Sequence, residues 1–320
     1  MAVGSLPVGA ANAMHRTHRH VGAVSTALTC CRPVRGASLS ESRRAAAPSR
    51  CRRHETRLLR SPTVTNTLEP LSLFRLDGRV ALVTGASSGL GERFARVLDA
   101  VGARVVIAAR RADRLEALAA DLTDAVVVPC DLAVAADRER LIGTALDVAG
   151  RLDVLVNNAG LCHTVAVEDE TLAQFESVMD LNVTALWHLC KLAVDALVAD
   201  GGGSIVNVAS MLGHVGSTPV KQSSYCSSKG AVVNLTRELA LQLARKGVRV
   251  NALCPGWFPS EMTAGMETDP GAITFVATNT PIPRMGEAHE LDGALLLLAA
   301  PAGSFLTGHS LLVDGGWTAR

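Results

Sequence analysis

Val83-Thr84-Gly85-Ala86-Ser87-Ser88-Gly89-Leu90-Gly91 is the stretch on which the fold turns. It follows a short β-branched run at 79–84 and opens a helix-patterned run at 92–100. Glycines between a strand and a helix allow a sharp bend and close backbone approach to a ligand, and the helix N-terminus beyond them attracts phosphate. The spacing is G-x-x-x-G-x-G, not G-x-G-x-x-G. An ordinary glycine-rich loop would read the same way, so its place after the first strand is what points to a dinucleotide.

Strand and helix signals alternate outward from this turn. Residues 104–109, 125–129, 154–156, 204–208 and 248–252 read as further strands, and 114–122 as the second helix. Such alternation predicts βαβ units and an α/β fold, a Rossmann-type doubly wound parallel sheet forming one domain over 71–320. About twenty residues beyond the first glycine, a dinucleotide site usually places an acid for the ribose 2′-hydroxyl. This chain has Ala108-Ala109-Arg110-Arg111 instead. Two guanidiniums and no acid favour a 2′-phosphate, hence NADP(H) over NAD(H). A solvated helix start is the plainer alternative.

Bulk properties narrow the class. Of 320 residues 48% are apolar but only 3% aromatic, so the core is aliphatic. A formal charge of +1 argues against a nucleic-acid partner. The eight cysteines show no C-x-x-C pair, which reads as reduced thiols in a cytoplasmic protein. No apolar run reaches the roughly 18 residues a membrane span needs, and Leu295-Leu296-Leu297-Leu298 reads as a core helix. Residues 1–70 differ: Arg-, Ala- and Ser-rich, without lysine, with Glu41, Glu55 and Glu69 as their only acids. They read as a disordered tail. They also fit a start assigned too far upstream, a basic functional arm, or a transit peptide, which would place the protein in an organellar matrix. His15, His18 and His20 beside Cys30 and Cys31 match no standard zinc spacing, so no metal is expected.

Tyr225, the chain's only tyrosine, precedes Lys229 by four residues. On a helix both side chains share one face. An ammonium beside a phenol stabilises phenolate, so Lys229 is expected to lower the Tyr225 pKa toward a general acid/base. A merely packed pair has the same spacing.

Together these residues resemble the short-chain dehydrogenase/reductase family over about residues 76–317. Its glycine motif matches Thr84 through Gly91, including Gly85, Ser87, Ser88, Gly89, Leu90 and Gly91. Its adenine-contacting acid matches Asp131, followed by Leu132, and its N-N-A-G element matches Asn157-Asn158-Ala159-Gly160. Asn182, Ser210, Tyr225 and Lys229 match the catalytic set. Pro255-Gly256, with Phe258 and Ser260, matches the loop around the nicotinamide, and Asp314-Gly315-Gly316 the C-terminal signature. The interval from Ser210 to Tyr225 is two residues longer than the commonest family spacing. Ser260 replaces a threonine, and Ser88 stands where some NADP-dependent members carry Arg or Lys.

The resemblance implies hydride exchange between a nicotinamide and a carbonyl carbon. Tyr225 would protonate the oxygen, Ser210 would hydrogen-bond it, Lys229 would also hold the nicotinamide ribose, and Asn182 would anchor a relay water. Substrates implied are a ketone and a secondary alcohol, with a 3-oxoacyl thioester leading and a sugar or polyol second. A non-catalytic dinucleotide-binding protein is the other class. The resemblance also implies a homodimer or homotetramer pairing through the Tyr225 helix and 181–196. His163 and His188 read as loop and packed histidines, and Cys162 and Cys226 as packing residues without a His–Asp partner. Trp257, Phe258, Met262 and Met266 read as a mobile lid over apolar substrate, with core packing the alternative.

Overall fold

The computed structural model describes residues 69–199 and 201–320. The readings made for residues 1–68, the histidine–cysteine cluster included, lie outside the described residues.

Seven parallel strands form one sheet in the order β3-β2-β1-β4-β5-β6-β7. They are β1 Val80–Thr84, β2 Arg104–Ala109, β3 Ala125–Pro129, β4 Val154–Asn157, β5 Ser204–Val208, β6 Arg249–Pro255 and β7 Ser310–Val313. The helices are α1 Gly89–Ala100, α2 Ala112–Ala120, α3 Ala135–Ala149, α4 Leu172–Met179, α5 Leu186–Ala199, α6 Ser223–Leu243, α7 Pro270–Asn279 and α8 Asp292–Ala299. The chain runs outward from β1 to β3, then returns to lay β4 on the other side of β1. That reversal opens a crevice beyond the carboxyl ends of β1 and β4, where an open α/β sheet binds its ligand.

Strand residues alternate between two cores because successive side chains point to opposite faces. Val80 and Leu82 pack with α3, α5 and α6, whereas Ala81 and Val83 pack with α1, α2 and α8. Both faces are covered, so β1 is buried at every position. Underneath, Asp153 accepts from Val80 N at 2.9 Å, Arg79 Nη1 at 2.6 Å and Arg151 Nε at 2.7 Å. Burial alone would raise this carboxyl, but the hydrogen bonds from Arg151, Arg79 and Val80 leave it below the usual range.

Several elements differ from the sequence reading. Helix α1 begins at Gly89, three residues early, because the glycines themselves form its first turn. Strand β6 runs on to Pro255, and β7, which the sequence did not suggest, pairs with its far half from Ala252 to Pro255. Helices α4 and α5 are joined through a π turn, Asp180–Ala185, into a 28-residue stretch, Leu172–Ala199, long and apolar enough to cross a membrane. Its Leu186, Leu189, Cys190, Ala193 and Leu197 are buried in the core shared with the sheet, which accounts for its apolarity.

Candidate active site

The glycine turn is built for close approach. Gly85 and Gly89 take left-handed backbone, with φ of +65° and +56°. A Cβ on Gly85 would lie 2.9 Å from Ala159 Cα, and one on Gly91 only 2.2 Å from Gly85 O. No side chain fits between turn, helix and the Asn158–Ala159 backbone. Ser88 occupies the N-cap of α1 without giving a side-chain cap, so the first-turn N–H groups face the crevice as an anion site.

The segment after β4 braces this turn. Thr84 Oγ1 accepts from Asn158 N at 3.0 Å and Ala159 N at 3.2 Å, while Asn158 Nδ2 donates to Thr84 O at 3.0 Å. Asp131 stands at the end of β3, where its Oδ1 accepts from Ala133 N at 3.0 Å and its own N–H donates to Asp137 Oδ2 at 2.7 Å. Leu132 is buried beneath it. Arg110 is exposed, whereas Arg111 donates to both Ser87 Oγ and Ser88 Oγ at 2.9 Å. The cradle, the uncapped helix end and the arginine over the serines all fit a nicotinamide dinucleotide.

Ser210 follows β5 and caps the turn Met211–Gly213, its Oγ accepting from Leu212 N at 3.1 Å. Tyr225 and Lys229 lie one turn apart near the start of α6, with Lys229 Nζ 5.5 Å from the Tyr225 ring centre. Lys229 is buried and donates to Val208 O at 2.7 Å. A Cβ on Gly160 would meet Asn182 Oδ1 at 3.3 Å and Lys229 Nζ at 3.6 Å, so the N-N-A-G backbone passes beside the lysine. Asn182 sits in the π turn, a local irregularity that aims its amide out of the helix. Its Oδ1 accepts from Leu161 N at 2.8 Å, and its Nδ2 donates to Leu161 O at 2.9 Å and Ser228 Oγ at 3.0 Å. The amide is thus engaged by protein, tying the N-N-A-G loop to α6.

The electrostatics correct one expectation. Desolvation, followed by the neighbouring Cys162, pushes the Tyr225 phenol above its ordinary value, and only the Ser210 hydrogen bond pulls it back. Burial lowers the Lys229 ammonium to about 8. The phenol therefore stands above its ordinary value even with Lys229 one turn away, because the dense packing that places the pair also strips water from the phenol. Burial holds the Cys162 thiol at about 11 and raises that of Cys226 as well, in keeping with their reading as packing residues.

The Pro255-Gly256 loop is stitched to the C-terminal signature: Gly256 N donates to Val313 O at 2.8 Å, and a Cβ on Gly256 would lie 2.7 Å from Asp314 Cα. Phe258 is buried in the main core against Gly286, so it anchors this loop. Ser260 caps the turn Glu261–Thr263. Trp257 turns instead toward Phe275 and Trp317, edge to face at 6.2 and 5.8 Å, in a cluster with Met211, Leu212 and Tyr225. Phe275 and Trp317 were not foreseen; nothing local in the sequence marks them. His163 faces Ser177 Oγ at 3.3 Å, and His188 Nδ1 accepts from Arg138 at 3.0 Å. In the longer loop, Gln222 is buried, accepts from Cys162 Sγ at 3.0 Å and donates to Ser217 Oγ at 2.8 Å. Among the described residues, no three His, Cys, Asp or Glu side chains form a metal-binding group.

A family model described as enoyl-(acyl carrier protein) reductase matches residues 85–318. The galactitol 2-dehydrogenase (L-tagatose-forming) of Cereibacter sphaeroides is 40% identical, over 77% of this chain and 98% of its own. The rhamnolipids biosynthesis 3-oxoacyl-[acyl-carrier-protein] reductase of Pseudomonas aeruginosa is 36% identical, over 76% and 98%. A crystal structure of a gluconate 5-dehydrogenase from Burkholderia cenocepacia, in complex with NADP and tartrate, superposes with a TM-score of 0.74 at 31% identity, over 78% and 99%. The chain belongs to the short-chain dehydrogenase/reductase family. It is accordingly an NAD(P)-dependent oxidoreductase acting on CH–OH groups.

Proposed function

We propose that this chain interconverts a ketone and a secondary alcohol with NADP(H). The glycine turn, Arg111, Asp131, the N-N-A-G backbone and Lys229 would hold the cofactor, which would supply or take up hydride. Ser210 and Tyr225 carry the rest at the substrate oxygen. In the reducing direction Tyr225, kept protonated by desolvation, gives its proton to the forming alkoxide. Ser210 donates to the same oxygen and stabilises its charge. Lys229, charged at neutral pH, stands 5.5 Å from the Tyr225 ring centre and would hold the nicotinamide ribose. Asn182 positions Gly160 and α6 around it.

The observation that carries the substrate class is the apolar wall beside this pair. Trp257, Trp317 and Phe275, with Met211 and Leu212, pack in one apolar cluster with Tyr225. Such a wall suits an acyl or alicyclic ketone, and a 3-oxoacyl thioester leads. A polyol or keto-sugar is the second reading, favoured by the 40% identity to galactitol 2-dehydrogenase. The test is cofactor consumption by the full chain with NADPH and NADH against a 3-oxoacyl thioester, an enoyl thioester, simple ketones and a keto-sugar. Turnover of a ketone with NADPH ahead of NADH is expected. Tight NADPH binding with no turnover across the panel would move the non-catalytic binding protein ahead.

A further inference from the structure

A carboxylate fastens the loop after Pro255-Gly256, the lid of the sequence reading, to the phosphate end of the crevice. Glu261 opens the turn Glu261–Thr263, just beyond Ser260. Its Oε1 accepts from Arg111 Nη1 and Arg114 Nη1, both at 2.7 Å, and its Oε2 from Arg111 Nη2 at 3.0 Å. The same guanidinium holds Ser87 and Ser88 of the glycine turn. A Cβ on left-handed Gly89 would meet Ser260 Cβ at 3.5 Å, so the lid chain passes directly over the turn. These contacts join residues about 150 positions apart in sequence and belong to none of the roles assigned above.

We infer that Glu261 is an internal stand-in for the cofactor's 2′-phosphate, tethering the lid to Arg111 and Arg114 until that phosphate takes its place. The inference rests on the NADP(H) reading. A carboxylate and a phosphate monoester accept the same paired N–H bonds from an arginine fork. The phosphate brings more charge and a third oxygen, so it displaces a single carboxylate. A dinucleotide without the phosphate offers nothing to compete, and the lid stays fastened. Glu261 and Arg114 thereby set cofactor preference by coupling the adenosine end to the loop that borders the substrate wall.

The test uses the full chain, wild type and the variants Glu261→Gln and Arg111→Met. Calorimetry compares adenosine 2′,5′-bisphosphate with AMP, and hydrogen exchange follows the backbone of 258–267. Loss of the competing ion pair at this exposed site is expected to tighten bisphosphate binding to Glu261→Gln roughly fivefold, with AMP unchanged. Bisphosphate, not AMP, should speed exchange across 258–267 in the wild type; in Glu261→Gln exchange should be fast from the outset. Arg111→Met should lose the bisphosphate preference. If the wild type prefers bisphosphate but Glu261→Gln binds it no better and the segment's exchange does not move, the tether is refuted while the NADP(H) reading stands. If the wild type binds bisphosphate no better than AMP, the NADP(H) reading falls and takes the tether with it. Retention of the preference by Arg111→Met removes that arginine from the site and overturns the exchange.

Discussion

Tyr225→Phe isolates the chemistry from the architecture. The substitution deletes one oxygen and leaves the ring against Met211, Leu212 and Trp317. What the fold loses is the hydrogen bond with Ser210, worth about 1 kcal/mol, while Ser210 keeps Leu212 N and Lys229 keeps Val208 O. Turnover loses far more. No other phenol exists in the chain, and the nearby Cys162 thiol, bonded to Gln222, offers no replacement acid. A positioned general acid contributes on the order of 100- to 10,000-fold. Ser210 still donates to the substrate oxygen, so the oxyanion contribution survives in part. The expected loss in kcat is therefore about a thousandfold, or about 4 kcal/mol of barrier. The assay is steady-state NADPH oxidation on the best ketone, beside NADPH binding and thermal unfolding. Binding within about twofold of wild type and near-unchanged unfolding are expected. A variant that keeps more than about a tenth of kcat refutes the proton-donor assignment. A variant that loses binding and stability together shows that Tyr225 acts through structure.

Three further outcomes follow from the same geometry. Desolvation lowers the Lys229 ammonium to about 8, so kcat for reduction should hold through neutral pH and fall as pH rises past that value; a Lys229→Met profile retaining the same limb would assign it elsewhere. Gly91→Ala forces a methyl 2.2 Å from Gly85 O, so the turn must shift, and dinucleotide affinity read by titration should drop at least about tenfold, with about 1–3 kcal/mol of overpacking strain visible in urea unfolding. Asp153 lies far from the chemistry with its carboxyl held below the ordinary range. A depressed carboxyl contributes stability that is present above its unfolded pKa and lost as pH falls through the folded one, so the wild type should lose that contribution in acid. Asp153→Asn should cost about 2 kcal/mol near neutral pH and less in acid, the half-buried arginines Arg79 and Arg151 keeping the cost below that of a fully buried pair. An equal deficit at both pH values would mean that the loss comes from packing.

What was legible in the sequence depended on local spacing. The glycine turn was read because its position after a strand is itself the signal, and α6 because four residues place Tyr225 and Lys229 on one face. The faces of the sheet could not be read: Val80 to Val83 of β1 are apolar without alternation, and only the folded layers separate Val80 and Leu82 from Ala81 and Val83. Strand β7 escaped because four residues carry too little periodicity, and it exists as a strand through its pairing with Ala252–Pro255.

The Tyr225–Lys229 pair shows where spacing stops being informative. Separation in sequence gives a distance, but the sign of the pKa shift depends on whether charge or desolvation prevails at that distance. That balance is set by Cys162, Ser210 and the surrounding packing, which come from three other parts of the chain. Desolvation prevails at both residues, and it does so in opposite directions: it keeps the proton on the acid and weakens the hold of the base on its own. A donor that must give its proton only when negative charge develops beside it is served by that arrangement, since the forming alkoxide and not the resting lysine then decides when the proton moves. The same argument predicts that alcohol oxidation, which needs Tyr225 to accept a proton, is favoured at higher pH than ketone reduction. Coincident pH profiles in the two directions would show that the phenol is not the titrating group.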